Sequence, residues 1–536
     1  MKQLTSYISN QFGKLTLLQK LMLPASGLIF LSNLNTFENN TYPSFLAVLM
    51  ICLLGIIFSK SFRLTLAESF NAKILILLVL GFFIRLHFSL FSFVHMNYHG
   101  MFYLLSISKL MGFEETPYGF TYNIFWYPFK YFIGSSRFFL FYANIVLNMA
   151  TSYLFYIIIK RWTKKESLGL LAACLFIFSP LQVSIAATES HFVLYSFFLL
   201  LLLCFSEEPS SHNKTFLPFM LAFMTFLRPT LFLIYPSFII YLFLRKKMSR
   251  DDLFYSLLIF SLIVVIPFTV AFLSLYNVFF HTNLPVFTVA QKAGHTLNIF
   301  KTKYYTLIYS LLVGMGLMKV LFTQKMRTFA LALSPIIFLV LMEAILKHSE
   351  WHISMYYQTT IEIFYFLLII VTASFFENGF RKKKIFLYSM IVLVLFFQLY
   401  SKLNIYNTKY DEQIEQDFVD KTLNKYEQSG LIFTTYHDIG KGSEFFSPII
   451  FFDKNLNITN TITSVKDILS ENFSKQYSGN KIYYRSLSEH ESSFKEIERI
   501  RGLIPLDTYT FIFHQRFYSH IAEGSNATVG FYQITK

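Results

Sequence analysis

The sequence predicts a polytopic α-helical membrane protein of about thirteen transmembrane helices, followed by a small soluble mixed α/β domain. Three observations predict it. Of the 536 residues, 54% are hydrophobic and only 14% are charged, with 66 Phe, a balance that excludes an ordinary soluble domain. Lys and Arg gather in short clusters between apolar runs, so the formal net charge of +15 reads as membrane topology and not as a nucleic-acid footprint. After about residue 402 the composition changes to a charged, alternating pattern. The chain therefore reads as a transmembrane region over 1-402 and an external (periplasmic) α/β domain over 403-536, with a long external loop over 95-136.

In chain order, the first twenty residues are polar, which does not fit a cleavable signal, and the first span is expected to be retained. Apolar runs long enough to be spans fall near 21-35, 43-59, 73-94, 137-159, 167-187, 190-205, 215-228, 230-244, 254-276, 303-322, 328-346, 359-376 and 385-401. The pair at 215-228 and 230-244 is short enough to be broken or re-entrant helices. The basic clusters at Lys14 and Lys20, Lys60 and Arg63, Lys160 to Lys165, Arg245 to Arg250, Lys325 and Arg327, and Arg381 to Lys384 then share one side. The positive-inside rule makes that side cytoplasmic. An odd span count puts the N-terminus inside and the C-terminus outside, in a bacterial-type inner (plasma) membrane; the sequons at Asn457, Asn472 and Asn526 keep the endoplasmic reticulum open. Residues 60-72 read as a short connector. Cys52, Cys174 and Cys204 lie in apolar runs and pack as small hydrophobes. Beyond residue 402, DEQIEQDFVDKTLNKYEQ, TSVKDILSENFSKQ and EHESSFKEIERIRG read as helices, and LIFTTYH, SPIIFFD, KIYYRSL, YTFIFHQRF and VGFYQI as strands.

The segment His95 to Arg137 concentrates polar groups between two spans, a placement that points to function. It holds His95, Asn97, His99, Glu114 and Glu115, and its WYPFKYFIG portion suits an interfacial helix with Trp126 and Tyr127 at headgroup depth. Glu114 and Glu115 are either a carboxylate pair for proton transfer or a solvated turn before Thr116-Pro117. His95 and His99, four apart, share a helical face. They could serve as a base, hydrogen-bond a phosphate or acceptor, or hold a divalent metal (Mg or Mn) with a carboxylate; two histidines without a third ligand do not define a metal site. Asn97 would be a polar anchor between them. Glu189 is either a helix cap or a carboxylate paired at membrane depth. Arg228, before Pro229, is either a bidentate phosphate donor or an interfacial snorkel. Arg85 lies inside FFIRLHF and is expected to face the bundle interior. Lys292 and His295 sit in a basic loop that could touch anionic headgroups, and His348, His352 and Tyr356 precede or begin a late span.

The order of these features resembles the C-type (GT-C) integral-membrane glycosyltransferases, including the lipid A aminoarabinose and protein O-mannosyl transferases. The elements that carry the resemblance are FFIRLHFSLFSFV opening into a long external loop, a YP at Tyr127 and Pro128, TES at Thr188 to Ser190, RPT at Arg228 to Thr230, and WHISMYYQTTIEIF. It covers most of residues 70 to 402. Where that family carries an acidic pair or single Asp after the first long span, this chain reads HMNYHG. The resemblance implies a polyprenyl-phosphate-linked sugar as donor, an external glycan, lipid or protein as acceptor, and membrane lipid as surroundings, with no nucleic acid. It further implies a general base among Glu114, Glu115, His95 and His99, and substrate contacts from Asn97, Glu189, Arg228, Lys292, His295, His352 and Tyr356, the Lys292 loop closing over the lipid carrier. A transporter or flippase of lipid-linked oligosaccharide, or a catalytically silent glycolipid-binding relative, stays open beside it.

Overall fold

A computed structural model describes residues 12-36, 42-91, 121-129, 139-186, 192-207, 210-225, 227, 234-245, 247-265, 307-322, 355-379, 384-403, 411-426, 431-435, 437-438, 444-445, 462-463, 465-477, 479-487, 489, 491-513 and 525-536. It divides the chain into two compact units, one containing Phe141–Ile405 with most of the earlier helices, the other containing Tyr406–Lys536.

The first unit is helical. Its elements are α1 (Leu17–Thr36), α2 (Tyr42–Phe58), α3 (Lys60–Ser69), α4 (Ala72–Phe91), the short α5 (Thr121–Trp126), α6 (Phe139–Thr163), α7 (Glu166–Ile177), α8 (Pro180–Ala186), α9 (Phe192–Ser206), α10 (Ser211–Thr225), α11 (Ile234–Leu244), α12 (Arg250–Phe260), α13 (Leu307–Phe322), α14 (Met355–Gly379) and α15 (Lys384–Leu403). Among the described residues, two stretches are long and apolar enough to cross a membrane, Tyr142–Thr163 of α6 and Thr359–Phe376 of α14. The bent pair α2 and α3 makes a third if it counts as one span. Several expected spans are shorter helices, and the one near 328-346 lies outside the described residues.

Three local differences from the sequence expectation have plain causes. The connector at residues 60-72 is largely helix: Ser59 caps α3 by accepting from the Phe62 amide, and Phe62, Thr65 and Ser69 form its buried stripe while Lys60, Arg63 and Leu64 face outward. The axis turns by 63° between α2 and α3. The run at 167-187 is two helices, because Pro180 lacks the amide that would continue α7, and Ser179 instead caps α8 by accepting from the Gln182 amide at 3.0 Å. Trp126 is 5% exposed, so its ring is buried among the helices instead of lying on a free surface. Its helix α5 packs on α2, and the Thr121 hydroxyl donates to the Phe223 carbonyl at 2.9 Å, turning Tyr122, Ile124 and Trp126 into the bundle.

Polar contacts knit many helix ends together on one face. Ser59 donates to Asn213 Oδ1 at 2.6 Å, Lys214 Nζ meets Asp252 Oδ2 at 2.8 Å, and Gln19 Nε2 donates to Asp252 Oδ1 at 3.3 Å. Asn71 donates to Glu166, Arg161 to the Thr65 hydroxyl, and Glu207 accepts from Lys247 at 3.3 Å and lies 3.5 Å from Arg245. These contacts bring the clusters around Lys20, Lys60, Lys160 and Arg245 to a common face. The three cysteines are buried and unpaired with one another.

The second unit is built on a five-stranded mixed sheet in the order β4-β1-β5-β7-β6. The strands are β1 (Leu431–Thr435), β4 (Ile462–Thr463), β5 (Lys481–Arg485), β6 (Leu503–Ile512) and β7 (Asn526–Ile534), with β2 (His437–Asp438) and β3 (Glu444–Phe445) forming a separate antiparallel pair. β1 runs parallel to β4 and β5, while β7 is antiparallel to β5 and β6. On one face α17 (Val465–Leu469), α18 (Phe473–Gln476) and α19 (Glu491–Arg501) bury Ile468, Phe473, Phe494 and Ile497 against Phe433, Tyr483 and Tyr532. On the other, α16 (Asp411–Tyr426) stacks Phe418 and Tyr426 on Phe531, and its buried Glu415 accepts from the Tyr484 hydroxyl at 2.8 Å. The expected helix over TSVKDILSENFSKQ is split into α17 and α18, and the expected strand over YTFIFHQRF begins earlier, at Leu503, with an irregular register between Pro505 and Asp507. SPIIFFD lies outside the described residues.

Candidate functional site

The break between α7 and α8 creates a polar point in the helical interior. Without an amide at Pro180, the Phe176 carbonyl loses its helical donor, and the end of α7 presents partial negative charge. The Arg85 guanidinium, carried in by α4, answers it. Nη2 donates to the Phe176 carbonyl at 3.1 Å, Nη1 to the carbonyls of Ile177 at 3.0 Å and Gly81 at 3.2 Å, and Nε to Asn148 Oδ1 of α6 at 2.7 Å. Asn148 then donates to Gln182 Oε1 at 3.1 Å, and Gln182 Nε2 donates to Glu362 Oε2 of α14 at 2.7 Å. The Ser179 hydroxyl donates to the other Glu362 oxygen. Arg85, Asn148, Gln182 and Glu362 are each 0% exposed.

A buried charge of either sign needs hydrogen-bond partners and a compensating charge, and here Arg85 and Glu362 are each hydrogen-bonded and are linked through Asn148 and Gln182 by one continuous chain of donors and acceptors. Arg85 turned inward as its sequence context predicts. Glu362 was not singled out in the sequence: an acidic residue inside the apolar run TTIEIFYFLLII was the available signal, together with Ser179-Pro180-Leu181-Gln182, which has the cap, first-turn proline and third-position amide of a helix start.

The residues nominated from sequence, His95, Asn97, His99, Glu114, Glu115, Glu189, Arg228, Lys292, His295 and His352, lie outside the described residues; Tyr356 falls in the first turn of α14, with its side chain outside the description. The helix ends that bracket several of them do meet. The Tyr195 hydroxyl near the start of α9 lies 2.6 Å from that of Thr360 in α14, Ser179 and Gln182 of α8 hold Glu362, and Thr121 of α5 holds the last turn of α10 through Phe223. Phe198 of α9 joins Phe125 of α5 and Phe223 of α10, at ring separations of 6.0 and 5.2 Å. In sequence, Glu189 lies between α8 and α9, Arg228 follows α10, and His352 precedes α14. Among the described residues no group of three or more His, Cys, Asp or Glu is placed to hold a metal ion.

Residues 122-270, from α5 through α12 and just beyond, match the family model described as dolichyl-phosphate-mannose-protein mannosyltransferase. Over this stretch the chain matches the GT-C glycosyltransferase family. The match contains Asn148, Ser179 and Gln182, three members of the buried network, as well as Glu189 and Arg228. It fits a polytopic membrane protein, and it covers less than half of the chain. A search of curated proteins finds no match.

Proposed function

We propose that the chain transfers a sugar from a polyprenyl-phosphate donor to an external glycan, lipid or protein acceptor, at the face of the helical unit where α5, α8, α9, α10 and α14 meet. The observation that carries this reading is the convergence of those helix ends within and beside the stretch that matches the GT-C family. In this reading a base drawn from Glu114, Glu115, His95 and His99 takes the proton of the acceptor hydroxyl as its oxygen attacks the anomeric carbon. The bond from that carbon to the phosphate oxygen breaks, and polyprenyl phosphate leaves with its charge met by the Arg228 guanidinium. Asn97, Glu189, Lys292, His295, His352 and Tyr356 line the path of donor and acceptor. The membrane is an inner (plasma) membrane, with the N-terminus cytoplasmic and the C-terminal α/β unit outside.

Arg85 is not the phosphate ligand in this scheme. Four of its five N–H donors are already engaged by protein acceptors in a site closed to solvent.

The test is transfer of radiolabelled sugar from polyprenyl-phosphate donors by the purified protein in lipid, compared with a Glu114→Gln/Glu115→Gln double variant. Turnover that disappears in the variant supports a carboxylate base in that segment; turnover that persists moves the base to His95 or His99. Absence of turnover with every donor, with lipid-linked glycan crossing the vesicle membrane, would establish the transporter instead.

A further inference from the structure

The buried network does more than neutralise an arginine. Its acceptors on Arg85 are the two carbonyls at the end of α7, and its donors to Glu362 are Ser179 and Gln182, the cap and third residue of α8. Every one of these groups belongs to the seven residues Phe176 to Gln182 around a single helix break. Two further contacts tie the same assembly to its neighbours: Asn148 of α6 bridges Arg85 to Gln182, and Tyr195 of α9 meets Thr360 two residues before Glu362. Helix breaks at membrane depth are tolerated where neighbouring side chains satisfy the freed backbone groups; here the Arg85 guanidinium does so at the end of α7, while Glu362, from another helix, holds the Ser179 and Gln182 side chains at the start of α8.

We propose that Arg85 and Glu362 are positioning residues that clamp the α7–α8 break and thereby set the direction of α8 (Pro180–Ala186) within the helical unit. The proposal rests on the transferase reading for what the direction of α8 does, but the clamp itself does not depend on it. The geometry distinguishes a clamp from a catalytic pair. Arg85 has one uncommitted N–H in a closed interior, and both Glu362 oxygens already accept hydrogen bonds. Neither group is presented to a reacting atom. The sequence element Ser179-Pro180 breaks the helix, and the charges hold the break in one orientation.

The experiment uses the full-length protein in lipid nanodiscs and reads backbone hydrogen exchange together with steady-state transfer kinetics. Two variants are compared with wild type: Glu362→Gln, which reverses one acceptor, and Gln182→Leu, which cuts the bridge but keeps both charges. If Glu362→Gln fails to fold, Gln182→Leu still decides the matter. The clamp predicts exchange at least about tenfold faster over residues 178-186 in either variant, with α6 and α9 unchanged, because only a local opening is released. It also predicts kcat reduced by about tenfold with donor KM within about twofold of wild type, since the chemistry and not uniform donor binding depends on the direction of α8. Exchange that is unchanged, or raised equally in every helix, would overturn the clamp. Locally raised exchange with undiminished kcat would overturn its role in positioning. A wild-type protein without transferase activity would sink the proposed function and leave the exchange comparison to judge the clamp.

Discussion

Arg85 shows how one residue can be read from its surroundings and still keep its partners hidden. An arginine in FFIRLHF cannot face lipid at reasonable cost, so inward orientation follows from the sequence. Its hydrogen bonds require planar, forked geometry, and Lys would supply only one short-range cation on a flexible stem. Arg85→Lys is therefore expected to destabilise the protein by about 2 kcal/mol or more, seen as a lowered thermal midpoint in lipid. Breaking one side of the charged network should cost about 3–5 kcal/mol, because the other charge is left uncompensated. A double substitution, Arg85→Met with Glu362→Leu, should cost less than the sum of the two single changes; strict additivity in a double-mutant cycle would refute the coupling. At the other end of the chain, Asp507 accepts from the Tyr426 hydroxyl and lies 3.3 Å from Lys425. The Tyr426 bond and the Lys425 ammonium hold the Asp507 carboxyl below its ordinary range, whereas burial and the bond to Asp507 push Tyr426 up to about 12. The Asp507 contribution is present above the unfolded carboxyl's pKa of about 3.9 and disappears as pH falls through the lowered native value. The Tyr426 contribution is present below about pH 10 and disappears as pH rises toward the native value. Tyr426→Phe should flatten the stability profile of the C-terminal unit at both extremes, measured as denaturation midpoints against pH.

At the scale of elements, the contact between α13 and α14 depends on the missing side chain of Gly316. A Cβ there would stand 2.1 Å from the Leu368 carbonyl oxygen, and the pair is further held by Thr372 donating to the Leu312 carbonyl at 2.9 Å. Close backbone approach of this kind is a common way for helices to associate in a membrane. Gly316→Ala must push the helices apart, with an expected cost of about 1–3 kcal/mol in thermal unfolding; an unchanged midpoint would show that α13 is not packed as described. The bend at Ser59 and the break at Pro180 differ in how visible they were. Ser179-Pro180-Leu181-Gln182 carries a helix-start signature, so the break was legible in the sequence once hydropathy was set beside local capping. Helix α3 was harder to see. Its apolar stripe is short and its charged residues resemble a connector, and only packing of Phe62, Thr65 and Ser69 against the bundle makes it a helix of fixed direction.

On the scale of the whole molecule, hydrogen bonds and ion pairs of Gln19, Ser59, Arg161 and Arg245 tie together helix ends next to the basic clusters around Lys20, Lys60, Lys160 and Arg245. If the proposed orientation holds, a phosphatase reporter fused after residue 536 should be active only outside the cytoplasm, and a reporter in the 245-250 connection only inside. The reverse result would place the 95-136 segment on the cytoplasmic side and remove the proposed acceptor route. Composition and the spacing of apolar runs determined that this chain is a helical membrane protein, because hydrocarbon imposes one solvent on every span and leaves few ways to satisfy the backbone. Local chemistry determined where α7 must stop, since proline has no amide to give. Which groups meet at that stop was decided only by tertiary structure. Arg85, Asn148, Gln182 and Glu362 come from four helices, and their pairing depends on rotations and separations that no local pattern encodes.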